Sequence, residues 1–112
     1  MNFQHKELSR GKWQKLSLIE QMANIGSEVE RAINWKNKND EEYSRMAFER
    51  ALELIDLTMS DGKNRRRLLE VSRIRESFAD YFVGGNQYSS SAQTWKKYFF
   101  SFGFAAGNKA GI

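Results

Sequence analysis

The sequence predicts an all-α protein: an up-down-up-down antiparallel four-helix bundle over residues 17–106, preceded by a polar leader (1–16) and followed by a frayed tail (107–112). Three observations predict it. Apolar side chains recur at helical spacing through four segments of similar length. Clusters of helix-breaking residues, Asn37-Lys38-Asn39, Asp61-Gly62 and Gly84-Gly85-Asn86, separate those segments. The 112 residues include no proline, so nothing of that kind interrupts a helix.

The leader is polar and charged, but Phe3, Leu8 and Trp13 give it apolar points with which to dock on the bundle as a short helix. The first helix is expected over 18–37. Ser17 and Glu20 form a capping box at its start, and Leu18, Ile19, Met22, Ile25, Gly26, Val29, Ala32 and Ile33 share one arc. Gly26 within that arc costs about 1 kcal/mol of helix propensity relative to alanine, which implies close approach of a neighbouring helix.

The second helix, 41–60, begins with the acidic run Asp40-Glu41-Glu42 and carries a broad apolar arc from Tyr43 to Met59, leaving a wet strip at Arg45, Glu49, Glu53 and Asp56. Such a helix is contacted on more than one side. The third, 64–83, has Leu68, Val71, Ile74, Phe78, Ala79, Tyr81 and Phe82 inward. Its opposite face is expected to neutralise itself through Arg66 with Glu70, Glu70 with Arg73, and Arg73 with Glu76. Arg75 and Arg50 project into apolar arcs and need a carboxylate partner or an exit by the aliphatic stem, so ion pairing is expected across helices or across a subunit boundary. The fourth, 91–106, starts from a capping box at Ser90 and Gln93 and buries Trp95, Tyr98, Phe99 and Phe102. Glycines 103, 107 and 111 predict fraying beyond it.

Two features exceed what a bundle needs. Phe100 and Phe104 project away from the inward stripe of the fourth helix, one turn apart and beside Lys96 and Lys97. A paired aromatic patch with basic flanks suits a protein partner, a second subunit or stacked nucleotides, unless the leader's Phe3, Leu8 and Trp13 fold over it, and Trp35 is a second contact candidate. Lys63, Arg65, Arg66 and Arg67 crowd the start of the third helix, where positive charge opposes the helix dipole. They require acidic neighbours, for which Asp56 to Asp61 are placed, or an anion such as a nucleic-acid phosphate. The leader cations Lys6, Arg10, Lys12 and Lys15 and a third cluster, Lys96 and Lys97 of the fourth helix, would join them only if the fold brings them together.

The expected function is therefore non-enzymatic: a helical interaction protein that self-associates or binds a protein partner. The alternative is a nucleic-acid-binding accessory protein. The single histidine, His5, has no partner for acid–base work, and no Glu-x-x-His pair exists for a di-iron site. No cysteine is present to supply thiolate ligands, disulfides or a nucleophile. No cofactor, metal or small-molecule substrate is implied. No segment reads as a membrane span or a signal peptide, so the cytoplasm is the expected location.

The stretches EQMANIGSEVERAINWKNKN, AFERALELIDLT and DYFVGGNQYSSSAQTWKKYF resemble a group of short all-helical proteins of bacteria and archaea that has no assigned activity. In shape and charge the predicted bundle is also similar to the accessory variability determinant of diversity-generating retroelements, a ring-forming, RNA-binding partner of reverse transcriptase. The first resemblance implies one compact helical unit. The second implies self-assembly and a nucleic-acid partner.

Overall fold

A computed structural model describes residues 11–109, which fold as four α-helices without a β-strand. They are α1 (Leu18–Asn37), α2 (Glu41–Ser60), α3 (Leu68–Val83) and α4 (Ala92–Lys109). Short 3-10 helices at Trp13–Lys15 and Gly62–Arg67 precede α1 and α3.

Local chemistry sets the boundaries. Ser17 Oγ accepts from the Glu20 amide while Glu20 Oε1 accepts from the Ser17 amide, so both bonds of the expected box form at the start of α1. Asp40 caps α2 by accepting from the Tyr43 amide. At α4 the cap lies one residue later than expected, with Ser91 Oγ accepting from the Thr94 amide and Thr94 Oγ1 from the Ser91 amide. Ser90 is already engaged, donating from its backbone and hydroxyl to Asn86 Oδ1. The fourth helix also runs through Gly103 and Gly107 to Lys109, three residues beyond its expected end.

Helix pairing follows from individual contacts. Gln21, early in α1, donates to Asp61 just past α2, and Ser44, early in α2, donates to the Ala32 carbonyl late in α1. The two helices are therefore antiparallel. Phe48 meets Phe82 at 5.2 Å while Arg75 meets Asp56, so α2 and α3 are antiparallel too. Phe99 lies against Gly26 and Lys96 against Asn34, so α1 and α4 are antiparallel as well. These are the contacts that an up-down-up-down order produces.

The core runs from Trp13 through Ile25, Ile33 and Ile55 to Phe78. Phe78 is its hub, touching Phe48 of α2 at 5.1 Å and Trp95 of α4 at 5.7 Å. Removing such a ring costs about 3–5 kcal/mol. The broad apolar arc of α2 is used on several sides, against α1, α3 and the leader's Trp13. Arg75 Nε donates to Asp56 Oδ1 at 2.7 Å, the expected cross-helix partnership.

Three residues assigned to core arcs are exposed, Ile19, Tyr43 and Leu68. Tyr43 lies in the first turn of α2, where its ring packs on Trp35 at 4.9 Å instead of entering the bundle. Leu68 is the first residue of α3.

A buried polar network joins one end of the molecule. Trp13 Nε1 donates to Thr58 Oγ1, Gln21 Nε2 to both the Trp13 carbonyl and Asp61, and Asn64 Nδ2 to both Gln21 Oε1 and the Thr58 carbonyl. Asp61 also pairs with Lys63. Burial alone would raise the Asp61 pKa, but bonds from Lys63 and Gln21 outweigh it and lower the pKa. Trp13 thus docks as expected, while Phe3 and Leu8 lie outside the described residues.

Candidate interaction surfaces

The close packing of α1 on α4 begins at Gly26. A Cβ there would lie 2.7 Å from Phe99 Cβ, so the α4 backbone can approach only because that methyl is missing. Beside this contact runs a groove of about 470 Å³, with Glu30 on its α1 wall and Lys96, Phe100 and Phe104 on its α4 wall. Phe100 and Phe104 are 73% and 62% exposed, and their rings stack on each other at 6.5 Å. Lys96 Nζ donates to Asn34 Oδ1, while Glu30 and Lys97 are exposed and unpaired among the described residues. Trp35 does not join this surface. It is half-buried on Tyr43 with Lys38 Nζ 5.2 Å above its ring, where it closes the α1–α2 connection.

The arginine run is arranged differently from the expectation. Lys63, Arg65, Arg66 and Arg67 stand in the 3-10 helix Gly62–Arg67, ahead of the first turn of α3. Asn64, buried and tied to Gln21 and Thr58, fixes the chain in that path. Two of the four cations are paired, Lys63 with Asp61 and Arg67 with Glu70 at 3.2 Å. Arg65 and Arg66 have no acidic partner among the described residues. Lys63 Nζ also donates to the Gln14 carbonyl at 3.1 Å, which brings the segment holding Lys12 and Lys15 to the same end. Lys96 and Lys97 are elsewhere, since Lys96 contacts Asn34 while the basic end contacts Gln21. Thirteen residues of α1 separate those two positions, about 20 Å along the axis. The leader and the arginine run therefore converge, and the third cluster does not join them. His5, Lys6 and Arg10 lie outside the described residues.

The third surface was not foreseen. Although α3 and α4 both touch Phe78 at the core, they diverge to leave a cleft of about 520 Å³. The connection between them folds back on α3. Asp80 accepts from the Gln87 and Tyr88 amides, and Gly84 permits this because a Cβ there would lie 3.0 Å from the Asp80 backbone. Tyr88 is thereby carried over α3, where its hydroxyl donates to Glu76 at 2.8 Å. From α4, Tyr98 Oη donates to Glu70 at 3.3 Å. Ile74 and Trp95 form a buried floor between these two bridges, and Leu69 forms an exposed wall.

This geometry corrects the expected charge pairing of α3. Arg66 does not bond Glu70, and Arg73 bonds neither Glu70 nor Glu76. Glu70 is taken by Arg67 and Tyr98, and Glu76 by Tyr88. Burial, followed by the Glu70 charge and the hydrogen bond to it, pushes the Tyr98 phenol well above its usual value; at Tyr88 the bond to Glu76 raises it. A phenol keeps its proton at neutral pH even at its ordinary pKa of about 10, so both hydroxyls donate there. Arg73, midway between the bridged carboxylates, has no partner among the described residues. The tyrosines could not be found by reading helix faces, because both bridges cross between segments far apart in the chain.

No cluster of metal-ligating residues occurs among the described residues, and no helix among them is long and apolar enough to cross a membrane. Compared with known protein families, curated proteins and solved structures, the chain matches none.

Proposed function

We propose that this is a non-enzymatic helical interaction protein that binds a second copy of itself through the α1–α4 groove. The observation that carries the reading is the stacked, solvent-facing pair Phe100 and Phe104. A two-fold contact uses the same patch twice and so needs both charge signs on one surface. This patch offers Lys96 and Lys97 on α4 and Glu30 on α1. Covering Phe100 is worth up to roughly 1.5–3 kcal/mol, the range for burying a large apolar side chain, before the cost of association is subtracted.

Sedimentation equilibrium tests it. Wild-type protein should show a concentration-dependent dimer, and Phe100→Asp should be monomeric with unchanged helical circular dichroism. A monomer at every wild-type concentration, or a dimer indifferent to Phe100→Asp, refutes the reading.

A second reading, a nucleic-acid accessory role, is favoured by the convergence of Lys12, Lys15, Lys63, Arg65 and Arg66 at one end. It accords with the resemblance in shape and charge to the retroelement accessory protein. Affinity for single-stranded RNA should then fall steeply with salt, and replacing Arg65 and Arg66 by Gln should make the slope shallower by about 0.7 for each phosphate no longer neutralised. Absence of binding at low salt rejects it.

A further inference from the structure

We propose that the α3–α4 cleft is a binding site for a flat aromatic molecule carrying one anionic group, with the ring on Ile74 and Trp95 and the anion on Arg73. This goes beyond self-association and uses a different face of α4.

Three observations carry it. The cleft, at about 520 Å³, is within the roughly 300–1,000 Å³ of small-molecule sites, and Leu69, Ile74, Trp95, Tyr98 and Tyr88 give it an apolar and aromatic side, beside the polar Glu70, Ser77, Ser90 and Thr94. Its walls are held apart by matched bridges, Tyr98 to Glu70 at one end and Tyr88 to Glu76 at the other, so the space is preformed.

The charge pattern selects the ligand. Of the charged residues of α3, Glu70, Arg75, Glu76 and Asp80 all have partners, and Arg73 alone has none among the described residues. The bridges withdraw from Arg73 the two carboxylates that helical spacing would otherwise supply. An arginine at the rim of an apolar cleft, with its local acids engaged, is complementary to a carboxylate, sulfonate or phosphate.

The test uses the full chain with 2-naphthoate and its neutral amide, 2-naphthamide, in isothermal titration calorimetry. Wild-type protein should bind naphthoate at one site, at least about tenfold more tightly than the amide. Arg73→Gln should remove that preference while leaving the amide's affinity unchanged. Phe100→Asp should alter neither, which separates this site from the dimer surface. A second variant, Leu69→Asp, places a like charge on the wall and should weaken naphthoate more than the amide. No saturable binding of naphthoate, equal affinity for acid and amide, or a preference that survives Arg73→Gln would each overturn the assignment.

Discussion

Gly26→Ala gives the sharpest test of how α1 and α4 are joined. By helix propensity alone the substitution should stabilise α1 by about 1 kcal/mol. The structure reverses the sign. The new Cβ would lie 2.7 Å from Phe99 Cβ and 3.0 Å from its Cγ, where carbon atoms prefer about 3.5–4.0 Å. The clashing Cβ is fixed to the backbone, so no side-chain rotation removes it, and the ring is confined by Tyr98 at 5.0 Å and Trp95 at 6.0 Å. Helix α4 must therefore move by several tenths of an ångström or more. Overpacking of this kind costs about 1–3 kcal/mol, for a net loss of roughly 0–2 kcal/mol after the propensity gain. Gly103→Ala is the internal control. It lies within α4, its added Cβ would meet nothing within 4 Å, and it should gain about 1 kcal/mol. Urea unfolding of both variants measures the contrast, which should amount to about 1–3 kcal/mol between them. If Gly26→Ala is as stable as Gly103→Ala or more so, the close approach of α4 to α1 is wrong.

The polar network at the basic end supports two further predictions. Trp13→Phe keeps an aromatic body but loses the donor to Thr58 at 3.0 Å, and should cost about 1–3 kcal/mol in urea unfolding. Asp61 has a lowered folded pKa, so its stabilisation is fully present above the unfolded value of about 3.9 and is lost as pH falls from there through the folded value. Stability followed between neutral pH and about pH 2.5 should decline more steeply on the acid side for wild type than for Asp61→Asn, which should itself be less stable at neutral pH. Identical acid slopes would remove Asp61 from the account.

Much of the fold was legible because it depends on short-range periodicity. The bounds of α1 and α2 follow from Ser17, Asp40 and the Asn37 to Asn39 break, all of which act within a few residues of their targets. The outward pair Phe100 and Phe104 is equally local, since two positions four apart share a helix face wherever the helix docks. Arg75 was legible by the same reasoning, as an arginine in an apolar arc that needed a carboxylate. The capping of α4 was displaced by one residue because Asn86, in the preceding loop, competes for Ser90. The charge pairing on α3 failed for a related reason: tyrosine hydroxyls arriving from α4 and the α3–α4 connection took the carboxylates first.

By itself the sequence determined the helices, their inward faces, the close-contact glycine and the exposed phenylalanine pair, because each is decided by spacing along a single helix. Tertiary structure alone decided which cations gather at one end, that Trp35 closes a connection, and that Arg73 has no partner among the described residues at the rim of a cleft. Those outcomes depend on which distant segment reaches a polar group first, and a helix projection holds no information about what lies across from it.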